Sequence, residues 1–550
     1  MEKTSALSHF WLLVNRNKSD VGAIYFYAIL NGFLQLGVPI GVQAIIGLVL
    51  GAAMITSLYV LIVLVVLAVF MVGVLQLNQM KIIERIQQRI FTYYAFDFIK
   101  KLTHFDLYKA DQYYLPDKAN RFFDTINLQK GFSKLLLDIP AALIQILFGL
   151  ILLTFYHPFF IAFGFILIVI LWVVLYFTSK KGLETSLKES NYKYDFVAWM
   201  QEVAKFIKSF KLNEDSDLIL KKADGIVVNY LESRTSHFKI LLFQYRLLTS
   251  FKTAVTAVLL GVGCMLLVDQ KINIGEFIAA EIVILSIIAS VEKVIKNLDT
   301  VYDVLTAIEK LASVTEHYSE KNGTLALKSN EIAIELNDFT FAYPDSKKIF
   351  SAVQLKIPAH KTVCIIGEEN SGKSTLLKLL GTYYLHFEGN FLVNNIPINN
   401  YKLETLRDKI GIFFQERELF SGTILENITL GREDVTPEDI ISIAKQLEFD
   451  NLLLNLPFGF QTPIDINGKH LTSSIAKKII LLRALVHKPH LVLLEEPWLG
   501  LKQNYKTNIM NYIINNPTGA TIVITSRDRD FAMRCDCCFE LIDGKFVALK

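Results

Sequence analysis

KTVCIIGEENSGKSTLLKLL, residues Lys361–Leu380, is the stretch from which the organisation of the chain can be worked out. Its short apolar run Val363–Ile366 predicts a buried strand, and the helix-forming run Thr375–Leu380 predicts a helix. Between these two runs stand Gly367, four further residues and then Gly372-Lys373-Ser374. A strand, a glycine-bounded loop and a helix in this order are typical of a P-loop, which binds phosphate groups.

The loop carries the groups that a nucleoside triphosphate requires. Its glycines let successive backbone N–H groups point inward at phosphate oxygens. Lys373 adds a positive charge beside the β- and γ-phosphates, and the Ser374 hydroxyl is a ligand for Mg²⁺. A glycine-rich turn without a ligand is the alternative, but it leaves the flanking strand and helix unexplained. The sequence therefore predicts that the chain binds a nucleoside triphosphate.

The composition indicates a membrane protein of more than one domain. The chain has 550 residues, of which 52% are hydrophobic and 20% charged, and its mean hydropathy of +0.38 is too high for a purely soluble protein of this size. A net charge of +3 gives no basic field for nucleic acid. Cys535, Cys537 and Cys538 lie close together near the C-terminus. They are either a metal or redox site or ordinary strand cysteines. No second ligand cluster has zinc-like spacing, which favours ordinary strand cysteines.

Six apolar segments precede the P-loop, and most are long enough to cross about 30 Å of hydrocarbon. They are Val21–Val49, Leu58–Leu77, Leu135–Tyr156, Phe159–Phe177, Leu241–Val268 and Phe277–Val291. The residues before Val21 are expected to be a polar cytoplasmic lead-in and not a signal peptide. The predicted fold is multi-domain: an all-α transmembrane domain of six helices, residues 1–315, followed by an α/β P-loop NTPase domain.

The connections between these segments alternate in length and charge. Three are short and nearly free of Lys and Arg, whereas the two at about 78–134 and 179–239 are long and lysine-rich. By the positive-inside rule the long connections and both termini face the cytoplasm. Each long connection can fold as two antiparallel helices of about 40 Å, which predicts cytoplasmic arms. Pro116–Phe122 and Asn213–Ser216 are the predicted tips of these arms.

Two acidic residues lie within the apolar segments. Asp138 is close enough to one end of its segment to be interfacial. Glu281 is a candidate for lining a cavity, or for pairing with groups near Lys293 or with water.

The nucleotide domain is predicted over residues 331–550, after a linker at 316–330. The strand Leu491–Leu494 ends in Glu495 and Glu496, where one carboxylate can hold the Mg²⁺ water shell and its neighbour can polarise an attacking water. Gln415 follows another strand and is placed to sense the γ-phosphate or the metal. Tyr343, in FAYPD, either stacks on adenine or packs in the core.

Together these motifs resemble those of an ATP-binding cassette (ABC) exporter half-transporter. RDKIGIFFQERELFSGTILENITLG (407–431) is similar to the family's Q-loop region, and LVLLEEP (491–497) to its second Walker motif. NIGEFIAAEIVILSIIASVEKVI (273–295) resembles the sixth helix of type I protein and peptide secretion exporters.

The resemblance implies an ATPase that uses ATP and Mg²⁺ and works as a dimer in the bacterial inner membrane. Catalytic roles fall to Glu496 as general base, Gln415 and Lys373. The cofactor-binding residues would be Tyr343, Gly367, Asn370, Ser371, Gly372, Lys373, Ser374, Thr375, Thr472, Ser473 and Ser474, and the metal ligands Ser374, Gln415 and Glu495. The implied partners are a second half-transporter (the same chain or another) and a periplasmic adaptor. The implied substrate is a peptide, a protein or a lipid-like molecule.

Several family motifs are altered in ways that predict slow hydrolysis. The signature reads Leu471-Thr472-Ser473-Ser474-Ile475, with serines for both glycines and an apolar residue for the glutamine. Ser526 stands in place of the switch histidine, Glu495 in place of aspartate and Lys502 in place of the D-loop aspartate. Because losing one preorganised group costs about 10²–10³ in rate, we expect ATP binding with weak turnover. A regulatory subunit that binds ATP and gates a partner is the alternative function.

Overall fold

The computed structural model describes residues 6–51, 55–110, 115–156, 158–212, 217–316, 320–449, 457–465, 468 and 470–550. They form two compact units. The first consists of Met1–His104 and Tyr114–Tyr318, and the second of Phe105–Tyr113 and Ser319–Lys550.

The first unit is built from α-helices. The first eleven helices of the chain are α1 (Ala6–Arg16), α2 (Lys18–Leu50), α3 (Ile55–Leu102), α4 (Leu107–Ala110), α5 (Leu115–Asn120), α6 (Asp124–Tyr156), α7 (Phe159–Lys205), α8 (Ile207–Lys211), α9 (Leu218–Val268), α10 (Ile274–Lys296) and α11 (Leu298–Glu316). All but α4 belong to this unit. The longest three, α3, α7 and α9, have 48, 47 and 51 residues. At a rise of 1.5 Å per residue they reach about 70–77 Å, more than twice the hydrocarbon thickness, as the predicted arms require.

Within the described residues, five helical ranges are long and apolar enough to span a membrane. They are Lys18–Leu50, Thr56–Leu102, Leu115–Tyr156, Leu218–Val268 and Ile274–Val314. Each contains one of the six predicted segments. The remaining segment, Phe159–Phe177, lies in α7, where several side chains fall outside the described part. The prediction of a multi-pass membrane protein is therefore confirmed.

The membrane helices pack closely where small residues face large ones. A Cβ atom on Gly149 of α6 would come within 2.8 Å of Ile287 Cγ1 on α10, so only glycine fits there. Asp138 of α6 pairs with Lys293 of α10 at 2.7 Å. Glu281 is partly buried and has no ion pair among the described residues. Lys293 therefore forms its ion pair with Asp138, and no ion pair between Glu281 and groups near Lys293 is seen among the described residues.

The first predicted arm tip is misplaced along the chain. Helix α3 ends at Leu102, and the segment Phe105–Tyr113, which includes α4, packs with the second unit. Pro116–Phe122 follows that segment, in α5 and a 3₁₀ turn. Helix propensity alone did not show that the residues before the proline contact another domain. The second predicted tip, Asn213–Ser216, lies outside the described residues.

The second unit is an α/β fold with twelve strands in its described residues. They are β1 (Ile334–Ala342), β2 (Lys348–Ile357), β3 (Thr362–Gly367), β4 (Glu388–Val393), β5 (Ile396–Pro397), β6 (Ile410–Phe413), β7 (Gly422–Thr423), β8 (Pro463–Ile464), β9 (Leu491–Glu495), β10 (Thr521–Thr525), β11 (Cys537–Ile542) and β12 (Lys545–Ala548). The main sheet has the order β12-β11-β3-β10-β9-β6 and is parallel except for β12. An antiparallel sheet has the order β2-β1-β4-β5, and β7 pairs with β8.

Helices cover the sheets of this unit. After α4 they are α12 (Lys373–Leu380), α13 (Leu403–Arg407), α14 (Ile424–Thr429), α15 (Pro437–Gln446), α16 (Ser473–Leu485), α17 (Gln503–Asn515) and α18 (Arg529–Arg534).

The residues of the central strand β3 are buried on both faces of the sheet. Val363 and Ile365 belong to one buried cluster, together with α12 and the antiparallel sheet. Cys364 and Ile366 point to the opposite face, into the cluster that contains α16. Because successive side chains of a strand alternate between faces, a continuous apolar run indicates a strand covered on both sides. The predicted fold class, a helical membrane domain followed by an α/β P-loop domain, is confirmed.

Part of the predicted linker packs against the nucleotide domain. Arg407 forms two hydrogen bonds with Glu320, at 2.7 and 2.6 Å, and Leu325 bridges to Tyr401. The two units divide between Tyr318 and Ser319. The bounds 316–330 for the linker and 331–550 for the domain stay predictions.

Candidate nucleotide-binding site

The predicted site residues converge at one edge of the main sheet. Strands β3, β6, β9 and β10 are parallel, so their carboxyl ends meet at the same edge. The P-loop follows β3, Gln415 follows β6, Glu495 ends β9 and Glu496 comes directly after it. Residues far apart in sequence are thereby placed around one loop.

The P-loop has the backbone geometry that its glycines predict. Gly372, immediately before α12, has a φ of 102°, and a Cβ there would lie 2.7 Å from Ile349 Cγ2. Asn370 also lies in the left-handed region, with a φ of 62°. Any residue with a larger side chain than glycine at position 372 would strain the loop.

The Lys373 side chain contacts the P-loop. Its Nζ donates to the Gly367 carbonyl at 2.8 Å, to Ser371 Oγ at 3.1 Å and to the Glu368 carbonyl. Burial and the Arg527 guanidinium lower the pKa of Lys373. A cation in this position is held by neutral oxygens of the loop, which an anionic phosphate group can replace as a stronger partner.

Ser374 and Glu495, which are predicted to bind the metal, are hydrogen-bonded to each other. The Ser374 hydroxyl donates to Glu495 Oε1. The Gln415 backbone N–H donates to Glu495 Oε2 at 3.2 Å. Hydroxyl and carboxylate oxygens are the hard ligands that Mg²⁺ prefers, so this donor set fits the ion.

The Gln415 side chain is held by groups on both sides. Its Nε2 donates to the backbone carbonyls of Glu495 and Glu496, at 2.9 and 2.6 Å. Its Oε1 accepts from Lys477 Nζ at 2.7 Å, and Lys477 also donates to the Leu499 carbonyl at 2.6 Å. Burial lowers the pKa of Lys477. Sequence reasoning missed Lys477, although its place two residues after the signature is a signal that could have found it.

Glu496, the predicted general base, has a buried carboxyl group. Its Oε1 is buried and has no hydrogen-bond partner among the described residues, and its φ is 41°. Burial raises the pKa of Glu496, while a hydrogen bond from the Arg527 backbone and the Arg527 and Lys373 charges act in the opposite direction. A carboxylate with a raised pKa is a stronger base, as proton abstraction from water requires.

Tyr343 contacts both the core and the start of α12. Its hydroxyl lies 3.2 Å from Thr375 Oγ1. Its ring packs edge-on against Phe341 and Tyr384, each at 5.3 Å between ring centroids. The side chain is partly buried, so adenine stacking by this ring stays a prediction.

The signature residues lie at the start of α16. Thr472 caps α16 by accepting a hydrogen bond from the Ile475 N–H at 3.3 Å. Ile475 packs against the buried cluster below the helix. Ser473 and Ser474 are the first two residues of α16. Within the described part of the chain, no hydrogen bond joins these residues to the P-loop.

Two further predictions concern groups near the sheet. Ser526 is fully buried, and its Oγ accepts from the Asp528 N–H at 3.0 Å. Cys538 lies beside Cys364 on the neighbouring strand, and none of the five cysteines, all of them described, forms a disulfide. No group of three or more His, Cys, Asp or Glu among the described residues could hold a metal ion. Cys537 and Cys538 lie in β11, whereas Cys535 lies just after α18.

Several known proteins are similar to this chain in sequence or in fold. Residues 350–499 match the family model described as ABC transporter. A "Probable ABC transporter ATP-binding/permease protein" of Haemophilus influenzae is 28% identical over 296 residues, which is 52% of this chain and 52% of that protein. "ABC transporter B family member 16" of Arabidopsis thaliana is 31% identical over 234 residues, 39% of this chain and 19% of that protein. The "Iron-sulfur clusters transporter ABCB7, mitochondrial" of Oryzias latipes is 26% identical over 283 residues, 48% of this chain and 38% of that protein.

These matches cover only part of each relative: the chain spans between about a fifth and about a half of the curated relatives' length. One solved structure has the same fold over nearly the whole chain. It is entitled "Structure of a bacterial Atm1-family ABC exporter with ATP bound", with a TM-score of 0.84, 17% identity and coverage of 97% of this chain and 94% of that one. The chain therefore contains an ABC transporter domain in residues 350–499, and it has the fold of that exporter chain, a helical domain followed by a single nucleotide-binding domain.

Proposed function

We propose that the protein is an ATP-driven exporter that uses this site to bind and slowly hydrolyse ATP. The observation that carries the proposal is the convergence of Lys373, Ser374, Gln415, Glu495 and Glu496 at one edge of a parallel sheet, in a chain that also has membrane-spanning helices.

Each residue of the site has a separate role. Lys373 and the backbone of residues 367–375 bind the phosphates, and Tyr343 stacks on the adenine. Ser374, Glu495 and Gln415 would hold Mg²⁺, which neutralises charge on the β- and γ-phosphates. Glu496 accepts a proton from the attacking water, because its buried carboxyl has a raised pKa.

Two copies of the nucleotide domain are needed to complete the reaction. Among the described residues the signature Thr472-Ser473-Ser474 forms no hydrogen bond with the P-loop of its own chain, and a helix N-terminus is suited to bind phosphate on another subunit. We propose a homodimer or a heterodimer with a second half-transporter in the bacterial inner membrane. The nucleotide domains would lie in the cytoplasm, and a periplasmic adaptor is a further partner.

Three features support weak hydrolysis. Ile475 packs into the core and offers no polar group to a ligand. The Ser526 hydroxyl oxygen accepts a hydrogen bond from the Asp528 backbone N–H. Lys477 holds the Gln415 oxygen that a metal would need. Each feature removes a stabilising group from the transition state, and such groups are worth about 10²–10³ each in rate.

The substrate is proposed to be a peptide, a protein or a lipid-like molecule. Likeness of 273–295 to type I secretion exporters favours the first two, and this placement stays a prediction.

A regulatory subunit that closes on ATP and gates a partner is the second candidate. It is favoured by the altered signature and by Ser526. Substituting Glu496→Gln distinguishes the two functions in proteoliposomes that contain the purified transporter. Transport should cease if this chain drives export, and should be almost unchanged if the chain only gates its partner.

Hydrolysis is tested by a single-turnover ATPase assay on the purified homodimer. A slow rate with tight ATP binding is expected, and a rate typical of exporters would disprove the weak-hydrolysis proposal. Loss of ATP binding in Lys373→Ala is the control that places the nucleotide at the P-loop.

A further inference from the structure

An arginine that the proposed function does not use lies beside the nucleotide site. Arg527 stands two residues after the end of β10, and its guanidinium pairs with the Glu369 carboxylate of the P-loop at 3.1 Å. Both residues belong to the second unit. The ion pair therefore joins the loop after β10 to the phosphate-binding loop.

The main sheet fixes the place of this arginine. Strand β10 lies between β3 and β9. The Ser526 N–H donates to the Ile365 carbonyl of β3 at 3.1 Å, and the Glu496 N–H donates to the Thr525 carbonyl of β10 at 3.0 Å. The residues directly before Arg527 are thereby held between the strand that leads into the P-loop and the predicted general base.

The charge of Arg527 acts on two residues of the site. Burial and, after it, the Arg527 guanidinium lower the pKa of Lys373. Burial raises the pKa of Glu496, whereas the backbone and the guanidinium of Arg527 act against that rise. Lys373 is expected at the β- and γ-phosphates, and Glu496 at the attacking water. Because electrostatic interactions weaken with distance, a cation that acts on both residues lies near the expected position of the γ-phosphate.

The sequence of the P-loop gives a reason for this cation. Glu368 and Glu369 follow Gly367 directly, and a carboxylate beside a phosphate group repels it. Arg527 neutralises Glu369. The two paired side chains are exposed, at 65% for Arg527 and 76% for Glu369, and an exposed ion pair is only weakly stabilising. The guanidinium can therefore leave Glu369 at little cost when a more highly charged anion is bound.

Ser526 cannot supply the same positive charge. Its side chain is fully buried, and its Oγ accepts a hydrogen bond from the Asp528 N–H at 3.0 Å. A hydroxyl group is also uncharged at any ordinary pH. Arg527, the next residue along the chain, is permanently charged and is directed towards the P-loop.

We propose that Arg527 binds the γ-phosphate of ATP and stabilises the charge that develops on it during hydrolysis. The inference rests on the proposed ATPase function. In that reaction the water oxygen bonds to the γ-phosphorus, the bond from this phosphorus to the bridging oxygen breaks, and its electron pair leaves with ADP. Glu496 accepts a proton of the water. Arg527 donates hydrogen bonds to oxygens of the γ-phosphate, and its planar guanidinium can contact two of them at once.

The test combines single-turnover hydrolysis by the purified full-length protein with measured affinities for ATP and for ADP. Arg527→Gln should lower the hydrolysis rate by about 10²–10³, as is typical of one preorganised group. The same variant should bind ATP about tenfold more weakly, because it loses hydrogen bonds to a charged group. Its affinity for ADP should not change, since ADP has no γ-phosphate. Arg527→Lys keeps the charge without the planar fork and should recover only part of the rate.

The matched control is Arg529→Gln. Arg529 is also exposed, at 72%, and it pairs with Glu540 at 2.6 Å, so this variant removes a comparable ion pair two residues further along the chain. It should keep the hydrolysis rate and both nucleotide affinities of the unmodified protein. Unchanged ADP binding by Arg527→Gln shows that the site of that variant remains folded.

Three results would overturn the inference. They are an unchanged rate in Arg527→Gln when the unmodified protein hydrolyses ATP, equal losses in Arg527→Gln and Arg529→Gln, and equal weakening of ATP and ADP binding. The last result would assign Arg527 a structural role at the P-loop. If the unmodified protein does not hydrolyse ATP, the proposed hydrolysis fails, and the ATP and ADP affinities of Arg527→Gln alone then decide whether Arg527 binds the γ-phosphate.

Discussion

Replacing Lys477 with methionine should change how the nucleotide site responds to Mg²⁺. Lys477 is a positioning residue: its Nζ holds the Gln415 oxygen at 2.7 Å. Methionine keeps the length of the side chain but removes the ammonium group. Gln415 can then rotate towards the metal, losing only the two bonds from its Nε2 to backbone carbonyls.

The magnitude follows from the bond that is lost. A hydrogen bond to a charged group is worth about 1.5–3 kcal/mol, and partial exposure of Lys477 reduces this to about 1–2 kcal/mol. Since 1.4 kcal/mol is a factor of ten, the population of released Gln415 should rise about 5- to 30-fold. Mg²⁺ should then be needed at a correspondingly lower concentration to support ATP binding.

The assay is a Mg²⁺ titration of a fluorescent ATP analogue bound to the purified protein. Lys506→Met is the matched control, because it removes a comparable bond, from Lys506 to Asp528 at 2.8 Å, without touching Gln415. In a Gln415→Ala background the Lys477→Met shift should vanish, as a double-mutant cycle requires. An unchanged Mg²⁺ midpoint, or a shift that persists without Gln415, would refute the reasoning.

Further predictions concern single residues of the nucleotide domain. Glu496→Gln should lower single-turnover hydrolysis by about 10²–10⁴ and leave ATP binding intact, since it removes the general base. The raised pKa of Glu496 means that folding disfavours its charged form, so its stabilising contribution is present at low pH and lost as pH rises through the raised pKa. Glu496→Gln should therefore raise the Tm at pH 7, and the gain should vanish below the ordinary glutamate pKa. Gly372→Ala should destabilise the domain by about 1–3 kcal/mol in denaturant titrations because of its positive φ, and an unchanged midpoint would contradict this. Ile475→Gln should raise steady-state hydrolysis by about tenfold if a missing polar group limits the rate, and an unchanged rate would exclude this position as the cause.

Local patterns predict a large part of this molecule. The P-loop follows from a strand, a glycine-bounded loop and a helix that lie within 20 residues of one another. Glu495 and Glu496 follow from an apolar run that ends in two acids. Parallel strands then explain why these motifs meet, because the carboxyl ends of such strands share one edge.

Contacts between distant segments cannot be predicted from local patterns. Lys477 and Gln415 are 62 residues apart, and neither is unusual in its own segment. Asp138 forms an ion pair with Lys293 on another helix. Phe105–Tyr113, inside a predicted arm, joins the nucleotide domain, where Tyr108 stacks on His386 at 4.8 Å.

The amino-acid sequence by itself determined the membrane helices, the α/β domain and the identity of the phosphate-binding loop. Hydropathy and backbone preference act over a few residues, so they can be read along the chain. Tertiary structure alone decided which side chain holds Gln415 and which carboxylate is buried. Those outcomes depend on packing between elements, and packing fixes distances that no local pattern contains.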